Sequence, residues 1–329
     1  MKTLDFRKIR NKYMMEFILV ILVLLLTLFA KGFATTPNIL GILRNVAITG
    51  VIAFGMTMTM TIIGGEIDLS IGSSIALSAV MTATVTGIIA GAEILSMDYA
   101  VIVGMLVALI IGGSIGLLNG FIRTKYNLPS FIITLAMLNV LYGLSAIISK
   151  GFPITTLPIW YNYIGAGQIG PIPVPAIWML IIFAITLVIM NYTRFGREVY
   201  AVGGNPEAAR LSGINVNKVK IIILVVVQVM AAFAGIILSA QVMSGSSTFG
   251  RGYEMDVISS VIIGGASLNG GIGKVWGTFI GIIFLGIIMN GMTLLGVDDY
   301  AKYVVRGSLI LFAVLLNTVQ LQSMVKSSK

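Results

Sequence analysis

The sequence predicts an all-α, polytopic integral membrane protein, and three observations carry that prediction. Only 10% of the 329 residues are charged and 57% are hydrophobic, where a soluble domain carries about 25% charged residues. The apolar residues fall in long runs, giving a mean hydropathy of +1.03. Thirty-eight glycines stand against eight prolines, and small residues let helices approach closely in lipid. The chain has neither cysteine nor histidine. Disulfide frameworks, thiol nucleophiles and the usual zinc and haem ligands are thereby excluded, along with the commonest general base. The net charge of +9 is spread along the edges of apolar runs, as an orientation signal is, and forms no single nucleic-acid patch.

A hydrocarbon core of about 30 Å takes about 20 apolar residues per helix. Runs of that kind lie near 15–30, 45–63, 71–92, 100–122, 130–149, 176–192, 219–243, 254–268, 275–296 and 303–319, so about ten transmembrane helices are expected. Gly264 and Gly265 interrupt the eighth, which reads as a broken helix. The opening MKTLDFRKIRNKYMMEFILVILVLLLTLFA has the basic lead and apolar run of a signal peptide. No A-x-A pattern follows in KGFATTPN and nine further runs come after it, so it reads as an uncleaved first helix.

With a cytoplasmic N-terminus, the inside segments hold Lys2, Arg7, Lys8, Arg10, Lys12, Arg123, Lys125, Arg194, Arg197, Arg210, Lys218, Lys220, Lys274, Lys326 and Lys329. The outside segments hold Lys31, Arg44, Lys150, Arg251 and Lys302, and Arg306 falls within the last span. Fifteen against five predicts that both termini face the cytoplasm. All of 1–329 reads as one transmembrane domain with a polar cytoplasmic loop at about 193–218. A possible inverted repeat runs through it. Glu66-Ile67-Asp68-Leu69 precedes the third span and Glu254-Met255-Asp256-Val257 begins the eighth; Asn119-Gly120 closes the fourth and Asn290-Gly291 the ninth. Each matched pair lies on opposite sides of the membrane, the arrangement of inverted repeats around a central pathway. Gly112, Gly116 and Gly120, and again Gly277 and Gly281, recur every four residues and predict helix faces where another backbone packs.

Polar residues within the apolar frame are the candidate pathway. Glu66 and Asp68 sit in TIIGGEIDLSIGSS with no basic residue beside them in sequence. Asp68 or Ser70 can cap the following helix, or the loop can serve as a polar gate, since ionisable groups at membrane depth usually line water or solute. Glu254 and Asp256 pose the same choice at the start of the eighth run, where the helix dipole favours negative charge. Asn45, Asn119, Asn139, Gln228, Gln241 and Asn290 supply neutral hydrogen-bonding groups suited to a hydroxylated solute or to neighbouring helices. The twelve acidic residues fall at or near segment ends, which argues against proton or sodium coupling at mid-membrane. No nucleotide site replaces it: LNGGIGKV at 268–275 lacks the first glycine and the final Ser or Thr of a phosphate loop.

The loop GREVYAVGGNPEAARLSGINVNK, 196–218, carries a helix signal of its own. Asn205 is a strong N-cap, Pro206 suits the first turn and Glu207 complements the dipole. Ala208, Ala209, Arg210 and Leu211 favour helix, Ser212 ends it, and Gly213 suits the left-handed cap. Gly203 and Gly204 are expected to let the chain turn sharply into it.

GGEIDLSIGS, NLPSFIITLAMLNVLYGL, GREVYAVGGNPEAARLSGI and GGASLNGGIGKVWGTFIGIIFLGIIMNGMTLLGV together resemble the membrane permeases of ribose-type sugar ABC importers, over residues 40 to 320. The resemblance implies a bacterial inner-membrane permease working with a cytoplasmic ATPase, which carries the ATP and magnesium, and with an extracytoplasmic sugar-binding protein. It also implies pairing with a second permease chain and a coupling helix, mapping to 203–213, that docks on the ATPase. Many relatives read G-G-I-D-L-S, so Glu66 stands here as an addition without a family role. The expected function is solute translocation driven from outside the chain, with no covalent chemistry in it. The alternative is an ion-coupled secondary sugar transporter.

Overall fold

The computed structural model describes residues 14–62 and 66–327. The basic leader with Lys2, Arg7, Lys8, Arg10 and Lys12, the Gly64–Gly65 pair, and Lys329 lie outside the described residues. The described chain is helical almost throughout. Its helices are α1 (Met14–Phe29), α2 (Thr36–Thr61), α3 (Ile71–Gly91), α4 (Met97–Tyr126), α5 (Ser130–Ser149), α6 (Asn162–Ala166), α7 (Val174–Tyr192), α8 (Arg194–Gly204), α9 (Pro206–Leu211), α10 (Val216–Val242), α11 (Tyr253–Ile263), α12 (Val275–Leu294) and α13 (Asp299–Ser327). A two-residue antiparallel hairpin, Gln168–Ile169 with Ile172–Pro173, precedes α7.

Seven helices, α2, α3, α4, α5, α7, α10 and α12, are long and apolar enough to cross a membrane. Helices stand at all ten expected places, but three differ from simple spans. The first, α1, is apolar with 16 residues; α13 opens on a polar stretch from Asp299 to Arg306. The eighth expected segment, 254–268, is broken where Gly264 and Gly265 predicted, and is too short for a full span. Its helix α11 has 11 residues, a rise of about 17 Å against a core of about 30 Å. It stops where Gly264 and the left-handed Gly265 (φ +90°) turn the chain, with the Ala266 N–H donating to the Val261 carbonyl.

The glycine stripes do what their spacing predicts. On α4, Gly112, Gly116 and Gly120 face α10 at Ala232 and Gln228, at Leu224 and Val225, and at Ile221; a Cβ on Gly116 would stand 2.5 Å from the Leu224 carbonyl oxygen. On α12, a Cβ on Gly277 or on Gly281 would stand 2.1 Å from the carbonyl oxygen of Gly264 or of Ser260 respectively. Two pairs of helices therefore interlock backbone against backbone. The inner part of α2, Val46 to Thr61, is buried almost throughout among α7, α10, α11 and α12.

This packing positions two helix starts deep inside the bundle. Gln228, which meets the segment before α3, lies twelve residues after Val216, about 18 Å along a helix of about 40 Å. The chain therefore returns to mid-bundle before α3 begins. The segment before α11 reaches the same level from the other end: a Cβ on Gly250 (φ +74°) would lie 2.1 Å from the Gly72 carbonyl oxygen. From this back-to-back junction α3 passes Gly235 and Gly245, while α11 runs to the Gly277 end of α12.

Candidate functional site

Glu66 and Asp68 alternate in burial with Ile67, which is only half-buried. In a non-helical chain, residues two apart share a side, so both carboxylates point into one seam. Glu66 looks solitary in sequence; the fold surrounds it with cations. Arg123 of α4 donates through Nε to both carboxylate oxygens at 3.0 and 2.9 Å and places Nη2 2.8 Å from Oε1. Lys220 of α10 places Nζ 2.9 Å from the same oxygen. The side chains are 3%, 14% and 12% exposed for Glu66, Arg123 and Lys220. Removing one partner of such a pair leaves a buried charge, at a cost of about 3–5 kcal/mol.

Asp68 is fully buried and is held by neutral donors. The Ser70 N–H and hydroxyl donate to Oδ1 at 2.9 and 2.6 Å, and Gln228 Nε2 donates to Oδ2 at 2.7 Å. Gln228 Nε2 also reaches the Ser70 hydroxyl at 2.7 Å, and Ser74 donates to its Oε1. Asn119 Nδ2 donates to the Ser70 oxygen at 3.4 Å. Asp68 and Ser70 thus form an Asx-type turn leading into α3; neither side chain caps it. Asp68 also lies level with the middle of α10, where Gln228 reaches it. Acidic residues do fall at segment ends, but two of those ends lie at mid-bundle, so the sequence argument against ion coupling loses its geometry.

The second acidic pair starts α11. The Gly252 N–H donates to Glu254 Oε1 at 3.3 Å, and Asp256 Oδ1 lies 2.7 Å from Arg306 Nε. Glu254 Oε2 is the nearest atom to the space a Cβ on Gly72 would fill, and Arg251 stacks over the Tyr142 ring at 5.0 Å. Asn290 Nδ2 donates to Asn38 Oδ1 at 2.8 Å and Asn38 Nδ2 donates to Asn290 Oδ1 at 3.0 Å. A cavity of about 460 Å³ opens between α2, α11, α12 and α13, with Asn45, Thr49, Asp256, Ser260, Asn290 and Arg306 in its wall. Of the candidate pathway residues, Glu66, Asp68, Ser70 and Asn119 form one cluster, and Asp256 and Asn290 share the cavity. Asn139 joins neither: it is exposed on α5 and bonds its own helix at the Leu135 carbonyl.

Sequence reasoning missed the partners. Arg123 and Lys220 registered only as orientation signals, and Gln228 as one amide among several. A lysine at the very start of an apolar run, set between Val219 and Ile221, was the available signal for Lys220. Arg306, isolated within the last run, was the equivalent for Asp256.

At the end of the bundle that holds Arg123 and Lys220, the polar loop folds as expected. Asn205 Oδ1 accepts from the Glu207 and Ala208 N–H groups, both at 3.0 Å. The Ile214 N–H donates to the Ala209 carbonyl and the Gly213 N–H (φ +84°) to that of Arg210, a Schellman-type close. Ala209 is buried, while Glu207, Arg210 and Leu211 are 74%, 70% and 84% exposed, and Arg210 pairs with Glu207 at 3.0 Å. One expectation is corrected. Gly203 and Gly204 do not make the turn; they are the last residues of α8, and extended Asn205 turns the chain. Gly203 is glycine because α2 comes close, the Thr61 carbonyl oxygen lying 2.1 Å from where a Cβ would stand. That oxygen accepts from the Gly271 N–H at 2.7 Å. Tyr200 donates to the Gly273 carbonyl at 2.7 Å, and burial raises its phenol above the ordinary value. The stretch that resembled a phosphate loop is thus a strap joining α2, α8 and α12.

Comparison with known proteins fits this arrangement to a family. Residues 38–314 match the family described as branched-chain amino acid transport system / permease component. The chain belongs to this permease family. The permease is 40% identical to the ribose import permease protein RbsC of Bacillus subtilis, over 91% of this chain and 90% of that one. It is 37% identical to RbsC of Escherichia coli K12, over 91% of each. With the L-arabinose transport system permease protein AraH of the same strain, identity is 36% over 95% of this chain and 92% of the relative. No solved structure matches the permease. It is a multi-pass membrane transport subunit and not a catalyst of covalent chemistry.

Proposed function

We propose that this chain is the permease subunit of an ATP-driven ABC importer that carries a monosaccharide across the bacterial inner membrane. The observation that carries the reading is the set of relatives above, aligned over about nine-tenths of both chains and named for ribose or L-arabinose import. The family's own description names amino acids; identity at this level to sugar permeases supports a sugar. In this reading the ATP and magnesium belong to a cytoplasmic ATPase, the solute arrives on an extracytoplasmic sugar-binding protein, and a second permease chain completes the pathway.

Residues 203–213 are the coupling element. Its exposed Glu207, Arg210 and Leu211 face away from the bundle, and its caps make it a defined knob. The cationic bias supports a cytoplasmic position for this face and both termini, in a reading of ten membrane segments that counts the short α1 and α11 and the polar-led α13. The back-to-back starts of α3 and α11 support an inverted repeat. The test is mild detergent extraction from native membranes, with identification of co-purifying chains and an ATPase assay. An ATPase should co-purify, and Arg210→Glu should weaken its retention; Gly204→Pro should abolish ATP-driven sugar uptake without loss of insertion. Normal uptake in both variants would remove the coupling assignment.

Asp68 at mid-bundle favours a second reading, an ion-coupled secondary sugar transporter. Reconstituted uptake that follows a proton or sodium gradient and survives ATP removal would establish it in place of the first.

A further inference from the structure

The stretch from Glu66 to Ser70 lies in the groove between α4 and α10, and each wall contributes one side chain at each of two heights. Arg123 of α4 and Lys220 of α10 hold Glu66. Two turns higher on α10 and one turn higher on α4, Gln228 and Asn119 hold Ser70, and Gln228 also holds Asp68. The walls are close-packed, because the glycines of α4 seat the α10 backbone directly, and such backbone packing opposes sliding. On the third side, among the described residues, α5 gives this stretch one hydrogen-bonding side chain: Thr134 accepts from the Leu69 N–H at 3.1 Å and donates to the Ile67 carbonyl at 3.2 Å.

The same α10 begins close behind the capped loop. Ile214 bonds back to Ala209 of α9, and Asn215 Oδ1 accepts from the Lys218 N–H at 3.0 Å, so hydrogen bonds span the junction between the two helices. Buried ion pairs resist separation far more than a neutral hydroxyl contact does. A displacement of the loop should therefore take the 66–70 stretch along with α4 and α10, and its hydrogen bonds to Thr134 should yield first.

We infer that α4 and α10 form one lever that carries movement of the 203–213 loop to residues 66–70 and so to the first turn of α3, with Arg123, Lys220 and Gln228 as positioning residues. This rests on the importer reading above, and it gives Glu66 a mechanical role.

The test uses the permease reconstituted in proteoliposomes with its ATPase and binding protein, and reads sugar uptake and ATP hydrolysis separately. Lys220→Met and Arg123→Met each leave Glu66 one cation, so each keeps a buried ion pair. Either should lower uptake per ATP hydrolysed by about fivefold or more, the lower end of typical coupling free energies, while hydrolysis continues. Lys220→Arg should restore the native ratio. Because the chain contains no cysteine, Leu69→Cys gives an independent readout. Its rate of thiol labelling should change on adding ATP to the otherwise native complex and become insensitive to ATP with Lys220→Met. A native uptake-to-hydrolysis ratio in both Met variants would overturn the lever. So would a parallel fall of uptake and hydrolysis, or ATP-sensitive labelling that persists in Lys220→Met. A native complex without ATP-driven uptake would count against the importer reading instead, and the labelling comparison would still decide the lever.

Discussion

Placing alanine at Gly203 or at Gly204 makes the same chemical change one residue apart, with opposite surroundings. At 203 the new Cβ would stand 2.1 Å from the Thr61 carbonyl oxygen and 3.1 Å from the Gly271 nitrogen, well inside an ordinary contact of about 3.5 Å. Both neighbours are backbone, and they are bonded to each other at 2.7 Å. Relief therefore means moving α8 off α2 or breaking that bond. Overpacking of this kind costs about 1–3 kcal/mol, and the lost hydrogen bond about 0.5–1.5 kcal/mol more. At 204 nothing lies within 4 Å. The helix-propensity gain of alanine over glycine, about 1 kcal/mol at most, is common to both positions and cancels in the comparison. Gly203→Ala should be less stable than Gly204→Ala by about 2–4 kcal/mol. Thermal unfolding of the purified permease in detergent measures the difference, and uptake in membranes should follow it. Equal midpoints for the two variants would refute the close approach of the loop to α2.

Asn205→Ala removes the acceptor for two helix N–H groups and should weaken α9 by about 1 kcal/mol; ATPase retention in detergent should fall, and Asn205→Asp should preserve it. Gln228→Leu strips hydrogen bonds from Asp68, Ser70 and Ser74, each buried; Asp68 and Ser70 keep each other, and the cost is about 1–3 kcal/mol for each polar atom left unpaired. Its signature is a large drop in yield and melting temperature, well beyond that of any variant at the exposed Asn139. Asn139→Ala is expected to change melting temperature within about 0.5 kcal/mol equivalent, and a larger loss would mean that this face of α5 is covered by a partner. Arg306→Met leaves Asp256 without its cation beside the cavity. Because both groups are about one-fifth exposed, the cost should lie below the about 3–5 kcal/mol of a fully buried pair, and denaturation midpoints would reveal it.

Much of the fold was legible because lipid imposes a simple rule on length and hydropathy, and the ten runs all became helices. The capped loop was legible for a different reason: Asn205, Pro206, Glu207 and Gly213 act through local backbone chemistry that needs no tertiary contact. The misreadings share one cause. Hydropathy puts the start of an apolar run at the membrane edge, so the acidic residues before α3 and α11 read as boundary residues. Depth is a tertiary property, fixed here by the Gly72–Gly250 junction and by Gln228, which is distant in sequence from all its partners. The same holds for Gly203, which reads as a flexible turn until the Thr61 carbonyl is seen beside it.

The contrasting treatment of Glu66 and Asp68 follows from that depth. Two residues apart on one side of the chain, they could have shared the same cations. Lys220 sits near the start of α10, within a turn or two of the polar loop, where a charge group costs least to insert. A second lysine at position 228 would have to be carried to the middle of the bundle, where an ammonium loses most of its hydration. Glutamine there brings two donors and an acceptor without a charge, and all of them are used: Nε2 on Asp68 and Ser70, Oε1 from Ser74. Asp68 receives its remaining donors from Ser70, at the positive end of the α3 dipole. Gln228→Lys is therefore the informative charge test. If dipole and neutral donors already satisfy Asp68, the added cation should cost stability; if Asp68 is an unmet charge, it should raise the melting temperature, and that result would reverse the assignment of this carboxylate as structurally satisfied.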